Sequence, residues 1–281
     1  MLGRSISYYL PQDAPNGPFA GVSELLTATD ITVANLEVAL TDRGFPEAKG
    51  YTFRAPALPS AKRLREAGFD VLSLANNHSL DYGAVGLADS LRALRQHGMA
   101  GVGAGANADD AYHAVVLERN GVRIAFLAFA EVPNEAGYNM KAWTAGENKP
   151  GIAWAEDSRV VAGVAASAEQ AEIVVVLFHF GNEFQSVPST RQRELARMAI
   201  NAGADLVIGS HPHVLQQVEE YGGGLIAYSL GNFVFDGFEG VANESAVLFV
   251  SFDEDGVSSW RMEPVEIGWD GLPRLLSNLG R

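Results

Sequence analysis

Residues 203–216 run GADLVIGSHPHVLQ, an apolar segment that leads directly into two histidines. From Asp205 to Ile208 the chain is mostly apolar, as in a strand buried inside a sheet. Gly209 and Ser210 then open a turn, and His211 and His213 follow on either side of Pro212. A His-x-His pair at a strand end can aim two imidazoles at one point, which metal ligation requires. The alternative is a pair of core histidines, each of which would need its own hydrogen-bond partner.

Outward from that strand, apolar runs alternate with helical stretches. Residues 30–36 (DITVANL), 70–75 (DVLSLA), 114–117, 123–130 (RIAFLAFA), 172–179 (EIVVVLFH) and 205–209 (DLVIG) are short, β-branched and mostly without polar alternation. They predict strands covered on both faces. Residues 57–67, 85–97, 157–171 and 190–202 carry helical periodicity, and Gly68, Gly98 and Gly203 stand where helices end. Residues 225–229, 246–252 and 260–267 read as antiparallel strands, with a turn at 253–256. This order predicts a layered α/β fold with one parallel sheet and one more antiparallel sheet. No linker divides residues 1–281, so a single domain is expected. Two stretches, 41–56 and 131–156, are irregular, and the second, rich in Gly, Pro, Asn and charge, has the length of a functional loop.

Composition narrows the chemistry. The chain has 281 residues, 47% of them hydrophobic, which excludes a disordered protein. Its net charge of −14, with the 20 Lys and Arg scattered, repels a nucleic-acid backbone, so no nucleic-acid partner is expected. There are no cysteines, so thiolate metal sites, disulfides and Cys nucleophiles are excluded. Any metal must be held by His, carboxylate, Asn or water, which suits Mn, Fe or Zn. No apolar run reaches the roughly 18–20 residues that span a bilayer.

Five segments place polar residues at or just past a strand: Asn35-Leu36-Glu37, Asn76-Asn77-His78 with Asp81, His179 with Gly181 and Glu183, His211 with His213, and residues 229–233 (SLGNF). Ligand sites of α/β sheets lie beyond the carboxyl ends of strands, so the shared placement is informative. Singly, each has a plainer reading. Asn76 and Asn77 suit a turn, His179 a hydrogen-bonded core position, and Glu37 a loop. His97 and His113 lack neighbouring ligand types and read as structural.

Together these motifs resemble a known family. NLE (35–37), LANNHSLDYG (74–83), GVGAGANADDA (101–111), HFGNEF (179–184), GSHPHVLQ (209–216) and YSLGNFVFD (228–236) are similar, in order and spacing, to bacterial capsule-synthesis proteins of the CapA type. That family is associated with poly-γ-glutamate capsules and belongs to the calcineurin-like metallophosphoesterase superfamily. The resemblance implies a four-layer αββα sandwich with a two-metal site at the strand ends. It implies Glu37, Asn77, His179, His211 and His213 as metal ligands, with Glu37 in the bridging position. His78 takes the catalytic place, and Asp81, Glu183 and Asn35 would orient imidazoles or waters behind the ligands.

The resemblance has one gap. Family members carry a strand ending in Gly-Asp just before the stretch similar to residues 1–4, and its Asp ligates the first metal. The expectation is therefore weakened or single-metal occupancy and a sheet with one exposed edge. Three functions follow: a metal-dependent hydrolase of phosphoesters, metal-assisted γ-glutamyl chemistry (hydrolysis, transfer or epimerisation), or a non-catalytic, polymer-binding subunit of a capsule synthesis and export complex. In the first, His78 protonates the leaving group. Residues 131–156, with Tyr138, Lys141, Trp143 and Lys149, read as a lid for an anionic polymer or as a surface loop. Arg54, in YTFRAP, is the candidate anion contact. The family is typically membrane-anchored or exported through an N-terminal segment, so capsule-synthesis membrane proteins are implied partners and the compartment stays open.

Overall fold

Alternation along one strand explains the layering. In Ile173–Phe180, the residues Ile173, Val175 and Leu177 join one buried cluster, while Val174, Val176, Phe178 and Phe180 join another. Successive side chains of a strand point to opposite faces, so this strand is covered on both sides. His179 continues the first set and therefore points toward the first cluster. The structure, a computed structural model, describes residues 1–10, 17–135, 137–254 and 256–276.

Two sheets carry the site. The smaller is all parallel, with β1 (Val33–Asn35), β2 (Val71–Ser73) and β3 (Ala100–Val102) in the order β1-β2-β3. The larger contains β4 (Val115–Arg119), β5 (Val122–Glu131), β6 (Ile173–Phe180), β7 (Leu206–Ser210), β8 (Val218–Tyr221) and β9 (Gly224–Ala227), ordered β8-β9-β7-β6-β5-β4. Its four central strands are parallel, and β4 and β8 are antiparallel edges. A further antiparallel sheet, β10 (Glu244–Asp253), β11 (Gly256–Ile267) and β12 (Pro273–Leu275), adds Val265 to the first cluster.

Four longer helices complete the layers: α1 (Ala57–Glu66), α2 (Gly83–Gln96), α3 (Asp157–Ala168) and α4 (Thr190–Asn201). Val160 and Val164 of α3 and Leu195, Ala196 and Ala199 of α4 pack on the outer face of the large sheet. Ala61 and Leu64 of α1 and Leu87 and Leu94 of α2 share the first cluster with the small sheet and with Phe126, Ala128, Val175 and Leu177. The result is a four-layer αββα sandwich. The two sheets approach closely at Gly103, where an added Cβ would lie 2.6 Å from Ala75 Cβ and 2.7 Å from Ala128 Cβ. No helix among the described residues is long and apolar enough to cross a membrane.

Most expected elements appear within a few residues of their predicted ends. The differences have local causes. β9, expected to be antiparallel, pairs parallel with β7 and antiparallel only with β8. β8 escaped the sequence reading because its four residues mix Val and Tyr with two Glu, although Gly222-Gly223 marks the hairpin turn. β3 was missed because AGV lacks the bulk of a typical strand. The expected turn at 253–256 includes Asp255, which lies outside the described residues. β1 is an edge strand of the small sheet, and its three residues are half-buried.

Candidate metal centre

Register brings the site together. Asn35 pairs with Ser73, and Ser73 with Val102, so the small sheet ends at one level. Glu37 follows two residues after that level, and Asn76, Asn77 and His78 within five. On the facing sheet His179 pairs with Ser210 on one side and Ala130 on the other, with His211 next in sequence. Both sets leave the carboxyl ends of parallel strands and meet between the sheets. Glu37, Asn77, His78, Asp81, His179, His211 and His213 are all buried.

The His-x-His backbone is bent in an unusual way. His211 has φ +97° and His213 φ +57°, in the left-handed region that non-glycine residues seldom occupy. Such conformations persist where the surroundings impose them, and they cluster at functional sites. Here they turn both imidazoles inward: the His179 and His211 rings are 4.8 Å apart between centroids, and those of His211 and His213 5.9 Å. Gly209, within β7, lets that strand pass close to the chain at Tyr228, since a Cβ there would stand 2.0 Å from the Tyr228 carbonyl oxygen.

Around Glu37 the polar groups remain partly unpartnered. Asn35 Nδ2 donates to Glu37 Oε2 at 3.0 Å. Glu37 Oε1 is buried with no hydrogen-bond partner, 4.0 Å from His179 Nε2 and 3.8 Å from His213 Nε2. His211 Nδ1 is likewise buried and unpartnered. Those separations are too long for hydrogen bonds and close to twice a metal–ligand bond of about 2 Å. Ligand atoms of Glu37, His179 and His211 lie within 4.8 Å of one another, as do those of Glu183, His211 and His213. An all-nitrogen and oxygen donor set with orphaned buried atoms fits a divalent cation, which would satisfy both.

The charge states suit that ligand. Burial, reinforced by His213, His78 and Lys49, lowers the His211 pKa to about 3. Burial and the neighbouring His211 also hold His179 well below the ordinary imidazole range. Both rings are therefore neutral near pH 7, the form that binds metal. Outer contacts set ring orientation. Asn232 Nδ2 donates to the carbonyls of His213 and Ala242, so Oδ1 is left to accept from His213 Nδ1 at 2.7 Å, and Nε2 faces Glu37. His179 Nδ1 stands 2.9 Å from Ser210 Oγ and 3.3 Å from Asn35 Nδ2.

His78 occupies a different position. Its Nδ1 meets Asp81 Oδ2 at 2.7 Å, and its ring packs on Phe53 with centroids 4.3 Å apart. Asn76 holds the turn: its Oδ1 accepts from His78 N at 3.0 Å, and its Nδ2 donates to Asn35 Oδ1 and the Leu36 carbonyl. Asp81 Oδ1 faces the fully buried Lys49 ammonium at 2.9 Å, as an ion pair rather than a directed hydrogen bond.

Three candidates sit differently from what the sequence suggests. Glu183 is exposed and among the ligand atoms of His211 and His213, not behind them. Arg54 is exposed and lies over the Tyr82 ring at 5.0 Å, lining a cleft of about 300 Å³ with Ser7, Thr41, Asp42, Ala55 and Pro56. Its described contacts do not reach the histidines. The loop 131–156 does dock on the site, but through Glu135. Lys141 pairs with Glu156 at 3.6 Å, Lys149 bonds the Ala142 carbonyl, and Trp143 donates to Tyr138, which donates to Glu47. Sequence reading missed Lys49 and Glu135, which lie in irregular loops with no local pattern to mark them. Asn232 lay in a segment already singled out, without a role.

These features define a class: a layered α/β sandwich with a buried His/Glu cluster at the converging strand ends. A crystal structure of a hypothetical protein from Thermus thermophilus has the same fold, with a TM-score of 0.55 at 15% identity over 87% of this chain and 90% of that one. The chain belongs to the bacterial capsule synthesis protein PGA_cap family, whose sequence model matches residues 1–237. It is 34% identical over 269 residues to the PGA biosynthesis protein CapA of Bacillus subtilis (strain 168), covering 95% of this chain and 69% of that protein. It is 33% identical over 285 residues to the capsule biosynthesis protein CapA of Bacillus anthracis, covering 98% and 67%.

Proposed function

We propose that residues 1–281 act as one domain, a metal-dependent hydrolase of the phosphoesterase kind working in poly-γ-glutamate capsule biosynthesis. The observation that carries this reading is the buried, unpartnered Glu37 Oε1 set among three imidazoles. Glu37, Asn77, His179 and His211 would hold a divalent Mn, Fe or Zn ion, with His213 and Glu183 beside a weaker second position. A bound cation supplies Lewis-acid polarisation and water activation near pH 7. The chain's own residues supply the rest. Asp81 Oδ2 accepts from His78 Nδ1 and orients the ring, so that when the ring is an imidazolium its Nε2 proton passes to the leaving-group oxygen and a neutral imidazole remains on Asp81. Phe53, Phe235 and Phe238 form an aromatic wall between His78 and His213.

The relatives are named for PGA and capsule biosynthesis, and a second reading on the same site is metal-assisted chemistry on γ-glutamyl amides of such a polymer. The anionic substrate or polymer, and any membrane partner in capsule synthesis, belong to these proposals. One experiment separates the readings: strip the protein with EDTA, reload it with Mn²⁺, Fe²⁺ or Zn²⁺, and supply a chromogenic phosphodiester or poly-γ-glutamate. Metal-dependent cleavage of the phosphodiester is expected. Turnover of the polymer alone would assign the second reading, and turnover of neither would leave a binding subunit.

A further inference from the structure

We infer that Glu135, anchored by Lys49, is a positioning residue that sets metal affinity by fixing which way the Asn77 carboxamide faces; this rests on the metal-site reading above. A carboxamide ligates through oxygen, and its NH₂ end repels a cation, so an Asn ligand works in only one of two rotations. Asn77 Oδ1 stands 2.8 Å from His179 Nε2, on the cluster side. Its Nδ2 donates to Glu135 Oε1 at 2.9 Å on the other side. An ionised carboxylate can only accept, so it holds the nitrogen outward and leaves the oxygen facing the histidines.

Glu135 needs an anchor, because it comes from the long loop after β5. Lys49 provides one. Its side chain is fully buried, its ammonium lies 3.3 Å from Glu135 Oε1 and 2.9 Å from Asp81 Oδ1, and it donates to the Asn77 carbonyl. The Trp143 ring, 4.9 Å from the ammonium, closes the pocket from the same loop as Glu135. A single cation thus ties the loop 131–156, the turn bearing His78 and the backbone of Asn77 into one unit. The loop's contribution to the site is a carboxylate behind a ligand, and its own lysines turn elsewhere.

The test is titration calorimetry of Mn²⁺ into EDTA-stripped protein, for the wild type, Glu135→Gln, Asn77→Asp and the double variant. Glu135→Gln keeps shape but can donate as well as accept, so Asn77 loses its orientation; Kd should rise roughly 10–100-fold, as for other groups behind metal ligands. On the Asn77→Asp background the same change should cost less than about threefold, because a carboxylate offers oxygen in either rotation. Glu135→Asp, still only an acceptor, should bind more tightly than Glu135→Gln. Unfolding midpoints in EDTA identify any variant that fails to fold. Equal losses on both backgrounds, or no loss in Glu135→Gln, would overturn this inference alone. Failure of the wild type to bind Mn²⁺ or Zn²⁺ would remove the metal-site reading as well.

Discussion

Acidifying the metal-free protein should weaken it through His211, in a window set by its protonation. In the unfolded chain this imidazole titrates near 6.5, whereas burial lowers its folded pKa to about 3. Between those values the unfolded state binds the proton and the native state does not, so stability falls with the pH. The stabilisation is complete above pH 6.5 and is lost progressively below it. One pH unit corresponds to about 1.4 kcal/mol, so the drop from pH 6.5 to 5 removes about 2 kcal/mol. His179, shifted in the same direction, adds to the loss. The assay is urea unfolding in EDTA at pH 7.5 and pH 5.0, followed by fluorescence of the four tryptophans. His211→Gln has no imidazole to protonate, so its loss between the two pH values should be smaller than the wild type's by about 2 kcal/mol. Losses equal within about 0.5 kcal/mol would show that His211 is hydrated or already partnered, and the account of the cluster would fail.

Two further outcomes follow from the geometry. His78→Gln should lower phosphodiester turnover by roughly 10²–10⁴-fold while Mn²⁺ affinity stays within about threefold of the wild type, since His78 bonds Asp81 and lies outside the Glu37, His179 and His211 group; loss of bound metal in calorimetry would contradict that division of roles. Gly209→Ala should destabilise the fold by about 1–3 kcal/mol or more and weaken metal binding, because the new methyl meets the Tyr228 carbonyl and pries β7 from β9; an unchanged urea midpoint would show that the two strands separate without cost.

How much of this was readable in advance depends on the range of the physics involved. β5, β6 and β7 were legible because β-branched, apolar runs without polar alternation report burial on both faces, a local signal. The helices were legible for the same reason, through periodicity and the glycines that end them. The candidates at strand ends, from Glu37 to His213, could be nominated because parallel strands of one sheet present their carboxyl ends on one side. β3 and β8 were not legible, since their residues gain strand structure only from neighbours already in place.

By itself, then, the sequence determined the layered α/β class, the family resemblance and a short roster of polar residues at strand ends. Tertiary structure decided how they are used. It turned Arg54 onto Tyr82, left Glu183 exposed beside two histidines, and brought Lys49 and Glu135 from two irregular loops to the back of Asn77. Hydrogen bonds and ion pairs act over about 3 Å between groups whose separation in the chain carries no pattern. Lys49 and Glu135 are 86 residues apart, and only the packed chain brings them together.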